Sequence, residues 1–444
     1  MLDKAALDFG SLIEEDRVHK AVYTDQAVFD KEIENIFHKK WIYIGHESQV
    51  PNPGDYWTTW VGHERMILVR GTDEKVHVLY NRCPHRGALI CNNHHGNAGR
   101  NFRCPYHAWQ FHFDGSLRQV PMKQGYDGII DMQDPQLQMV RAERQDSYRG
   151  FVFASLAAEG EDLPTYLGPG GRQAFDDMAN RAPEGEVQIV ANCFRIMQHS
   201  NWKIFLENQL DAVHPSITHQ STGDAAAAMQ KVFAEKEGAP PPMGYQFLAD
   251  FTLPFDKWDS LETLGHANGH SLLTGYMGLR PRDPVTVAHE EALTKVHGEK
   301  RMDEILSANL HHAIVYPCLS VQPPLQQLRA VRPLGPNKTL TEIWHFRLKG
   351  APEGIYDRSA AYYYHVNSPS TMVNADDLNN FRAIQDGLNM EHGGDWVSLH
   401  RNNGQDKRDD QGVLHSSNGM SELPMRNMFA AWKQFMTEGN QECQ

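Results

Sequence analysis

The spacing of apolar residues changes along the chain and divides it into three stretches. In residues 1–40, apolar side chains recur at helical spacing, at Phe29, Ile33, Ile36 and Phe37. In residues 41–157, short apolar runs such as residues 66–69 and 76–80 alternate with Gly, Pro and Asn, which is typical of short strands. In residues 158–444, helical and strand patterns are mixed. We therefore expect a helical segment, a small β domain and a larger mixed domain.

Two segments of the last stretch carry clear patterns. Residues 339–348 place Leu340, Trp344 and Phe346 on one face of a predicted strand, and residues 429–436 predict an amphipathic helix. A length of 444 residues suits two or three domains.

The composition limits the kinds of partner. The formal net charge of −14 argues against nucleic acid and against an anionic membrane surface, since both need a basic face. No run of eighteen apolar residues occurs, and the first residues lack the apolar stretch of a secretion signal. The six cysteines are few for this length, so a disulfide framework is not expected and the reducing cytoplasm is the predicted compartment.

Cysteine and histidine recur together in two short segments of the predicted β domain. Cys83 and His85 form a C-x-H pair, and eighteen residues later Cys104 and His107 form a C-x-x-H pair. Two Cys and two His are the ligands of a Rieske [2Fe–2S] cluster, but they also bind structural zinc. A zinc finger keeps its cysteines in one pair and its histidines in the other, whereas here each half supplies one of each. The arrangement therefore favours the Rieske cluster.

The neighbourhood of this motif is basic. Residues 75–113 contain no Asp or Glu, and their basic residues are Lys75, Arg82, Arg86, Arg100 and Arg103. Such a surface suits an acidic electron donor, although a chance gap in the acidic residues is the alternative. We expect His94 and His95 to lie in an exposed loop and Cys91 to be a packed free thiol.

A second group of metal-binding residue types begins at Glu207. Glu207, Asp211 and His214 are four and three residues apart, so they would share one face of a continuous helix. His219 would face another side, but Pro215 is expected to break the helix just after His214 and let His219 turn back. Two His and a carboxylate form the facial triad of non-haem Fe(II) oxygenases, whereas an ordinary polar helix surface is the alternative.

A third iron ligand is predicted further along the chain. Asp376 and Asp377 begin a segment whose sequence predicts a short helix ending at Gly387. A carboxylate at the start of a helix more often caps it. Two adjacent acids allow one to cap the helix and the other to bind the metal.

In order and spacing, these motifs resemble those of the large (α) subunits of Rieske non-haem iron ring-hydroxylating oxygenases. The resemblance covers nearly the whole chain and includes Asn201-Trp202-Lys203 ahead of the second motif. It implies an α+β fold, with a small all-β Rieske domain inserted near the N-terminus of a larger catalytic domain of helices and antiparallel sheet. It also implies one [2Fe–2S] cluster bound by Cys83, His85, Cys104 and His107, and one mononuclear Fe(II) bound by His214, His219 and Asp377.

The resemblance implies a further residue role and several partners. Asp211 matches the carboxylate that links the two metal sites across a subunit boundary, between His107 of one chain and His214 of its neighbour. Members form homotrimers or α3β3 assemblies with a small β subunit. They take electrons from an NADH-dependent flavin reductase, in some systems through a ferredoxin. Most add both atoms of O₂ to an aromatic ring as a cis-dihydrodiol, but others are monooxygenases or demethylases.

The resemblance leans toward substrates similar to benzoate, anthranilate, salicylate or phthalate. Relatives that bind a carboxylate can place an Arg after the aspartate pair; Arg382 is present, but Asp386 one turn on would repel an anion. Glu207 is either close to the iron or part of a polar helix face. Of the competing classes, a Rieske ferredoxin would need no second metal motif, and a zinc-binding protein would be colourless. The candidate pocket residues are Asn208, Val373 and Phe381.

Overall fold

The computed structural model describes residues 8–236, 243–249, 254–275, 280, 283–307 and 310–438. The backbone forms two compact units, one of residues Phe37–Leu163 and one of the described residues on either side of it. The expected α+β fold, with a small β domain that interrupts a larger domain, is confirmed. Five cysteines are free thiols, and Cys443 lies outside the described residues. No helix in the described ranges is long and apolar enough to cross a lipid bilayer.

The segment before the small unit is only partly helical. It contains a 3-10 helix (Phe9–Leu12), strand β1 (Arg17–His19), and helices α1 (Ala21–Thr24) and α2 (Gln26–Glu32), and α2 continues as a π-helix over Ile33–Phe37. The helical prediction for residues 1–40 is therefore wrong at β1. This strand pairs with the remote segment Trp396–Ser398, and a local periodicity cannot reveal such a partner.

The small unit consists of antiparallel sheets. They are a four-stranded sheet of order β5-β4-β3-β6 and two three-stranded sheets, β7-β8-β9 and β10-β11-β2. The strands are β2 (Ile42–His46), β3 (Asp55–Val61), β4 (Glu64–Arg70), β5 (Val76–Tyr80), β6 (His95–Asn97), β7 (Phe102–Arg103), β8 (Gln110–Phe111), β9 (Leu117–Gln119), β10 (Arg144–Tyr148) and β11 (Phe151–Ser155). The predicted strands at residues 66–69 and 76–80 are confirmed, and three of their side chains share one core with Cys83, Cys104 and Trp109: Ile67, Val69 and Leu79.

The large unit contains an antiparallel sheet of nine described strands, in the order β12-β18-β17-β16-β15-β14-β13-β21-β20. The predicted strand at residues 339–348 is confirmed as β18, and most of its side chains are buried. The strands of this unit are β12 (Val187–Gln198), β13 (Glu262–Gly265), β14 (Ser271–Thr274), β15 (Leu310–Val315), β16 (Leu319–Gln322), β17 (Gln327–Gly335), β18 (Lys338–Leu348), β19 (Trp396–Ser398), β20 (Lys407–Arg408) and β21 (Leu414–Ser416).

Helices surround this sheet. They are α3 (Leu163–Asn180, kinked at Gly168), α4 (Trp202–Gln209), α5 (His214–Thr218), α6 (Gln220–Lys236), α7 (Met243–Ala249), α8 (Phe255–Asp259), α9 (Pro284–His297), α10 (Glu299–Leu306), α11 (Glu353–Val366), α12 (Met372–Leu388) and α13 (Leu423–Thr437). Helix α4 packs against β15, β16 and β17. The predicted C-terminal helix is confirmed as α13, which packs against β13 and β14.

A buried ion pair ties the N-terminal helix to the helix that leads into the second motif. Lys203 Nζ lies 2.5 Å from Glu32 Oε1, and both side chains are fully buried. The indole N–H groups of Trp202 and Trp432 also donate to the Glu32 carboxylate, at 2.9 and 2.6 Å. Because a buried charge is tolerated only with such partners, these contacts hold α2, α4 and α13 together. They position the start of α4.

Candidate metal centres

Cys83 and Cys104 begin two turns of the same shape. In each turn the Cys N–H donates to the carbonyl five residues on, at 2.8 Å in both cases. The N–H of the residue four positions on donates back to the Cys carbonyl, at 2.9 and 3.0 Å. Those residues, Gly87 and Ala108, have φ angles of +75° and +58°. The two halves of the motif therefore form a matched pair of loops, each with one Cys and one His.

The four predicted cluster ligands meet at these loops. The rings of His85 and His107 lie 4.7 Å apart, and both Nδ1 atoms are buried with no hydrogen-bond partner in the described part of the chain. The thiols of Cys83 and Cys104 are buried, and burial together with Cys104 raises the pKa of Cys83 to about 11. Paired thiols and unpartnered ring nitrogens fit a bound metal cluster, since the metal replaces the thiol protons and accepts the nitrogen lone pairs.

Aromatic and basic side chains surround this quartet. His85 stacks on Trp109 at 4.8 Å, and Tyr106, which is 61% exposed, packs on His107 at 3.7 Å. The basic residues noted above are all exposed: Lys75, Arg82, Arg86, Arg100 and Arg103. His94 and His95 are exposed, as predicted, but His95 begins strand β6 and so does not lie in a loop. Cys91 is buried, as predicted, and burial raises the pKa of its thiol to about 12.

In the large unit, one ligand atom from each of His214, His219 and Asp377 lies within 4.8 Å of the others. Asp377 Oδ1 is 3.3 Å from His219 Nε2 and 3.7 Å from His214 Nε2. Elsewhere in the described ranges, no three His, Cys, Asp or Glu side chains come together in this way. Two imidazoles and a carboxylate on one side of a metal match the facial triad of non-haem iron sites.

The backbone reaches this arrangement differently from the prediction. Helix α4 ends at Gln209, so Glu207, Asp211 and His214 do not share a continuous helix. Helix α5 begins at His214, and Pro215 lies in its first turn, where a missing N–H costs nothing. The break therefore precedes His214, and the prediction that Pro215 interrupts a longer helix is wrong.

Asp376 and Asp377 lie in the second turn of α12, and Gly387 is still inside that helix. The expectation that one of them caps the helix is therefore wrong. Instead, Asp376 Oδ2 lies 3.3 Å from His219 Nδ1, so the two acids contact opposite nitrogens of one ring. Burial lowers the pKa of His219, but the hydrogen bonds and charges of Asp377 and Asp376 outweigh it and raise the pKa. This pairing fixes the orientation of the ring.

Asp211 lies in the turn between α4 and α5. Its Oδ1 accepts a hydrogen bond from the Val213 N–H at 2.9 Å, and its Oδ2 lies 3.8 Å from His214 Nδ1. Arg401 Nη2 lies 3.6 Å from Asp211 Oδ1. Asp211 thus shapes the turn and also faces an imidazole of the triad. Its link to His107 of a neighbouring chain stays a prediction.

Glu207 belongs neither to the triad nor to an exposed helix face. Its Oε1 atom is buried without a hydrogen-bond partner among the described residues. Burial, together with the charges of Glu422 and Asp211, raises the pKa of Glu207 to about 8, although Tyr23 and Lys203 act in the opposite direction. The carboxyl group is therefore held largely in its neutral form at neutral pH.

A cavity of about 150 Å³ lies beside the triad. That volume accommodates roughly one benzene molecule. Asn208, Val373 and Phe381 all line it, and their role as substrate contacts stays a prediction. The Asn208 amide nitrogen lies 3.0 Å from His214 Nε2 and 3.4 Å from Asp377 Oδ1. The further apolar lining includes Phe205, Trp258, Leu273, Leu325 and Ile343.

Comparison with known proteins agrees with this geometry. Residues 40–137 match the Rieske [2Fe–2S] domain family, and residues 187–438 match the family described as ring hydroxylating alpha subunit (catalytic domain). This chain belongs to the ring-hydroxylating oxygenase α subunits. It is therefore an oxidoreductase of the ring-hydroxylating dioxygenase family. The family's Rieske domain binds a [2Fe–2S] cluster and its catalytic domain carries a mononuclear non-haem iron, as predicted.

Relatives of this α subunit act on different aromatic compounds. It is 30% identical to toluate 1,2-dioxygenase subunit alpha of Pseudomonas putida over 396 residues, which is 85% of this chain and 82% of the relative. It is also 30% identical to biphenyl 2,3-dioxygenase subunit alpha of Rhodococcus jostii over 394 residues, 86% of this chain and 80% of the relative. Naphthalene 1,2-dioxygenase from a Rhodococcus species, solved with indole, has a TM-score of 0.77 at 25% identity over 95% of each chain.

The polar part of the cavity lining in this α subunit was not predicted from its sequence. Arg329 on β17 lines it, as do His311, His312, Gln322 and Asn367. No motif marks these positions. The one available signal was Arg329 itself, a charged residue within the mostly buried strand β17. Arg382, which was considered as a carboxylate-binding residue, is instead 69% exposed and faces Asp386 at 3.6 Å.

Proposed function

We propose that this α subunit catalyses the cis-dihydroxylation of a single aromatic ring with O₂. The observation that supports this most directly is the convergence of two histidines and one carboxylate beside a largely apolar cavity the size of a benzene ring. A monooxygenase or demethylase outcome is the alternative, because the same iron ligands serve each of these reactions.

The residues divide into two sets of ligands. The [2Fe–2S] cluster would be held in a domain of residues 41–157 by Cys83, His85, Cys104 and His107. The iron would be held by His214, His219 and Asp377 in a second domain, which consists of residues 158–444 together with residues 1–40. When bound, the cluster supplies single electrons and the iron supplies O₂ activation. Asp376 keeps the His219 ring in position, and the apolar lining excludes water from the ring of the substrate.

The electron donor would be an NADH-dependent flavin reductase, acting directly or through a ferredoxin. The exposed arginines beside the cluster loops, Arg82, Arg86 and Arg103, support docking of an acidic donor. A homotrimer or an α3β3 assembly with a small β subunit would bring His107 of one chain to Asp211 of its neighbour. A cytoplasmic location stays a prediction from the few cysteines.

Product analysis under ¹⁸O₂ tests the reaction type. The holoenzyme, chemically reduced and then mixed with benzoate or with toluene under ¹⁸O₂, is expected to form a cis-diol that carries two labelled oxygens. A product with one labelled oxygen would instead establish the monooxygenase outcome. If the reduced enzyme oxidises neither compound although both metals are present, the proposed reaction is wrong for a single aromatic ring.

A further inference from the structure

One side chain gives the cavity beside the triad a positive charge. Arg329 lies on β17, is only 9% exposed, and lines the cavity together with His214, His219 and Asp377. The other charged or ionisable groups in that lining are acids, histidines and one tyrosine. Arginine does not lose its proton in a protein, so the cavity permanently holds this cation.

The hydrogen-bond partners of Arg329 are neutral. Its Nη1 donates to Gln209 Oε1, and its Nη2 donates to Asn367 Oδ1 at 2.7 Å. Its Nε is buried and has no acceptor within the described part of the chain. No carboxylate of the described residues pairs with it within 4 Å, in contrast to Arg332 three residues on, which lies 3.2 Å from Glu342. The positive charge of Arg329 is thus left without a carboxylate partner among the described residues.

Neutral partners make this burial unfavourable. Removing an ionised group from water is strongly unfavourable unless an opposite charge compensates it, and an unmade buried hydrogen bond adds to that cost. Tyr362 and Asp377 are the groups whose charges favour the Arg329 cation, but a bound iron would draw on the Asp377 carboxylate. An anionic ligand in the cavity would supply the missing charge.

We infer that Arg329 binds the carboxylate of a single-ring aromatic acid and so selects acids over neutral arenes. The inference rests on the proposed function, because it takes the cavity beside the triad as the substrate site. A guanidinium matches a carboxylate in shape and charge. With the acid group at Arg329, the ring occupies the apolar part of the cavity, whose volume of about 150 Å³ suits one ring.

A purely structural role is the alternative for Arg329. Its contacts join the end of α4 to Asn367, which follows α11, and a tie of this kind would stabilise the fold without binding any ligand. Gln209 also accepts from the Ser320 hydroxyl at 3.3 Å and donates to Asn208 Oδ1 at 2.9 Å. The two roles differ in one measurable property, which is the preference for a charged over a neutral ligand of the same shape.

Benzoate and benzamide are suitable probes, because they have nearly the same shape and differ in charge. Calorimetric binding to the anaerobic holoenzyme is expected to favour benzoate over benzamide by about 10- to 100-fold. In Arg329→Gln this preference should fall to near one. Arg329→Lys keeps the charge without the planar fork, so it should retain a preference for benzoate at lower affinity.

Arg382→Gln is the matched control, since it removes an exposed arginine from α12. It should bind both probes as the wild type does. Iron content and the Rieske spectrum of each variant show whether its fold and metal sites are intact, and if Arg329→Gln fails to fold, Arg329→Lys and the wild-type preference still decide the question.

Two results would overturn the inference: equal or undetectable binding of the probes by the wild type, or an unchanged preference in folded Arg329→Gln. A lost preference in that variant, with Arg382→Gln unaffected, would support it. Binding is measured without turnover, so failure to hydroxylate benzoate would count against the proposed reaction and leave the assignment of the anion site standing.

Discussion

An imidazole that binds a metal through one nitrogen is held in place by the group that its other nitrogen contacts. In this α subunit, Asp376 lies 3.3 Å from Nδ1 of His219, and Asp211 lies 3.8 Å from Nδ1 of His214. Asp376 is within hydrogen-bond distance of its histidine, whereas Asp211 faces His214 from beyond that distance. Asp377 faces the Nε2 atoms of both rings. It is therefore placed to bind the metal, whereas Asp376 and Asp211 face the Nδ1 atoms on the other side of the rings.

The adjacent acids give a sharp test at this scale. Asp377→Ala is expected to lose the mononuclear iron and all turnover, because it removes a ligand, while the Rieske spectrum is retained. Asp376→Asn keeps a side chain beside His219 but loses its charge, so iron affinity should fall by about 10- to 100-fold. Iron content and electron paramagnetic resonance measure both effects. If Asp376→Asn loses the iron and Asp377→Ala keeps it, the ligand assignment within the pair is wrong.

Glu207 predicts a dependence of stability on pH. Its pKa is raised in the folded protein from an ordinary value of 4.5 to about 8, chiefly by burial. Between these two values the unfolded chain releases a proton that the folded chain retains. The contribution of Glu207 is therefore most favourable below pH 4.5, and stability falls as the pH rises toward 8, by the order of a few kcal/mol.

Glu207→Gln should remove this trend, so the variant gains stability relative to the wild type as the pH rises. Urea unfolding at both ends of the window measures the difference, and the exposed Glu235→Gln serves as the control. Parallel pH profiles for wild type and Glu207→Gln would show that Glu207 is ionised in the folded protein.

At the scale of elements, helix α4 depends on its N-cap residue, Asn201. The Asn201 side chain accepts from the Lys203 N–H at 3.2 Å and donates to the carbonyls of Tyr23 and Pro336, at 3.2 and 2.9 Å. Its backbone N–H donates to Gln385 at 2.8 Å. One side chain therefore caps α4 and joins it to two distant segments, which sets where the helix begins on its way to the proposed iron site.

Asn201→Ala is expected to destabilise the large unit by about 2–4 kcal/mol, from the lost cap and the two lost hydrogen bonds to carbonyls. Asn201→Ser retains a capping oxygen but not the amide donors, so its loss should be smaller. Unfolding followed by circular dichroism measures these effects, and the Rieske absorbance reports on the small unit separately, since two units need not unfold together. Equal stability of all three proteins would contradict this role.

The elements also show what a sequence can and cannot predict. Ligand chemistry restricts residue type and spacing, so Cys83, His85, Cys104 and His107 were predicted as one group, and the structure brings them together. Strong periodicity likewise predicted β18 and α13. The break before His214 was misplaced because a proline can begin a helix as well as end one, and only the tertiary contacts decide which.

The positive charge that Arg329 gives the cavity could not be predicted from the sequence either, and the reason is a different one. Arg329 and Arg332 occur three residues apart on β17, so they point to opposite faces of the sheet. One pairs with Glu342 and the other lines the cavity. The register of β17 with β16 and β18 decides which of the two arginines lines the cavity and which pairs with Glu342. That register is set by contacts remote in sequence.

At the scale of the whole molecule, the proposed cluster site and iron site lie in different compact units. Electrons must pass from one to the other, and Asp211 is the proposed link. Asp211→Asn keeps the shape of the side chain but removes its charge. The variant should therefore keep both metals and the fold. In single-turnover experiments with O₂ and substrate, oxidation of its reduced Rieske cluster should be slower by orders of magnitude.

Mixed oligomers test whether this link joins neighbouring chains. Asp211→Asn chains keep their cluster but lack the link, whereas His107→Ala chains lack the cluster but keep the link and the iron site. If electrons cross between chains, the iron site of a His107→Ala chain receives its electrons from the cluster of an Asp211→Asn neighbour. Random mixing of equal amounts in a ring should then restore about a quarter of the active sites. Each variant alone should be inactive.

Mixing Asp211→Asn with Asp377→Ala should restore nothing, because then every iron site is impaired. Product formed by differently tagged, doubly purified oligomers gives the measurement, and the absence of rescue in the first mixture would place electron transfer within one chain.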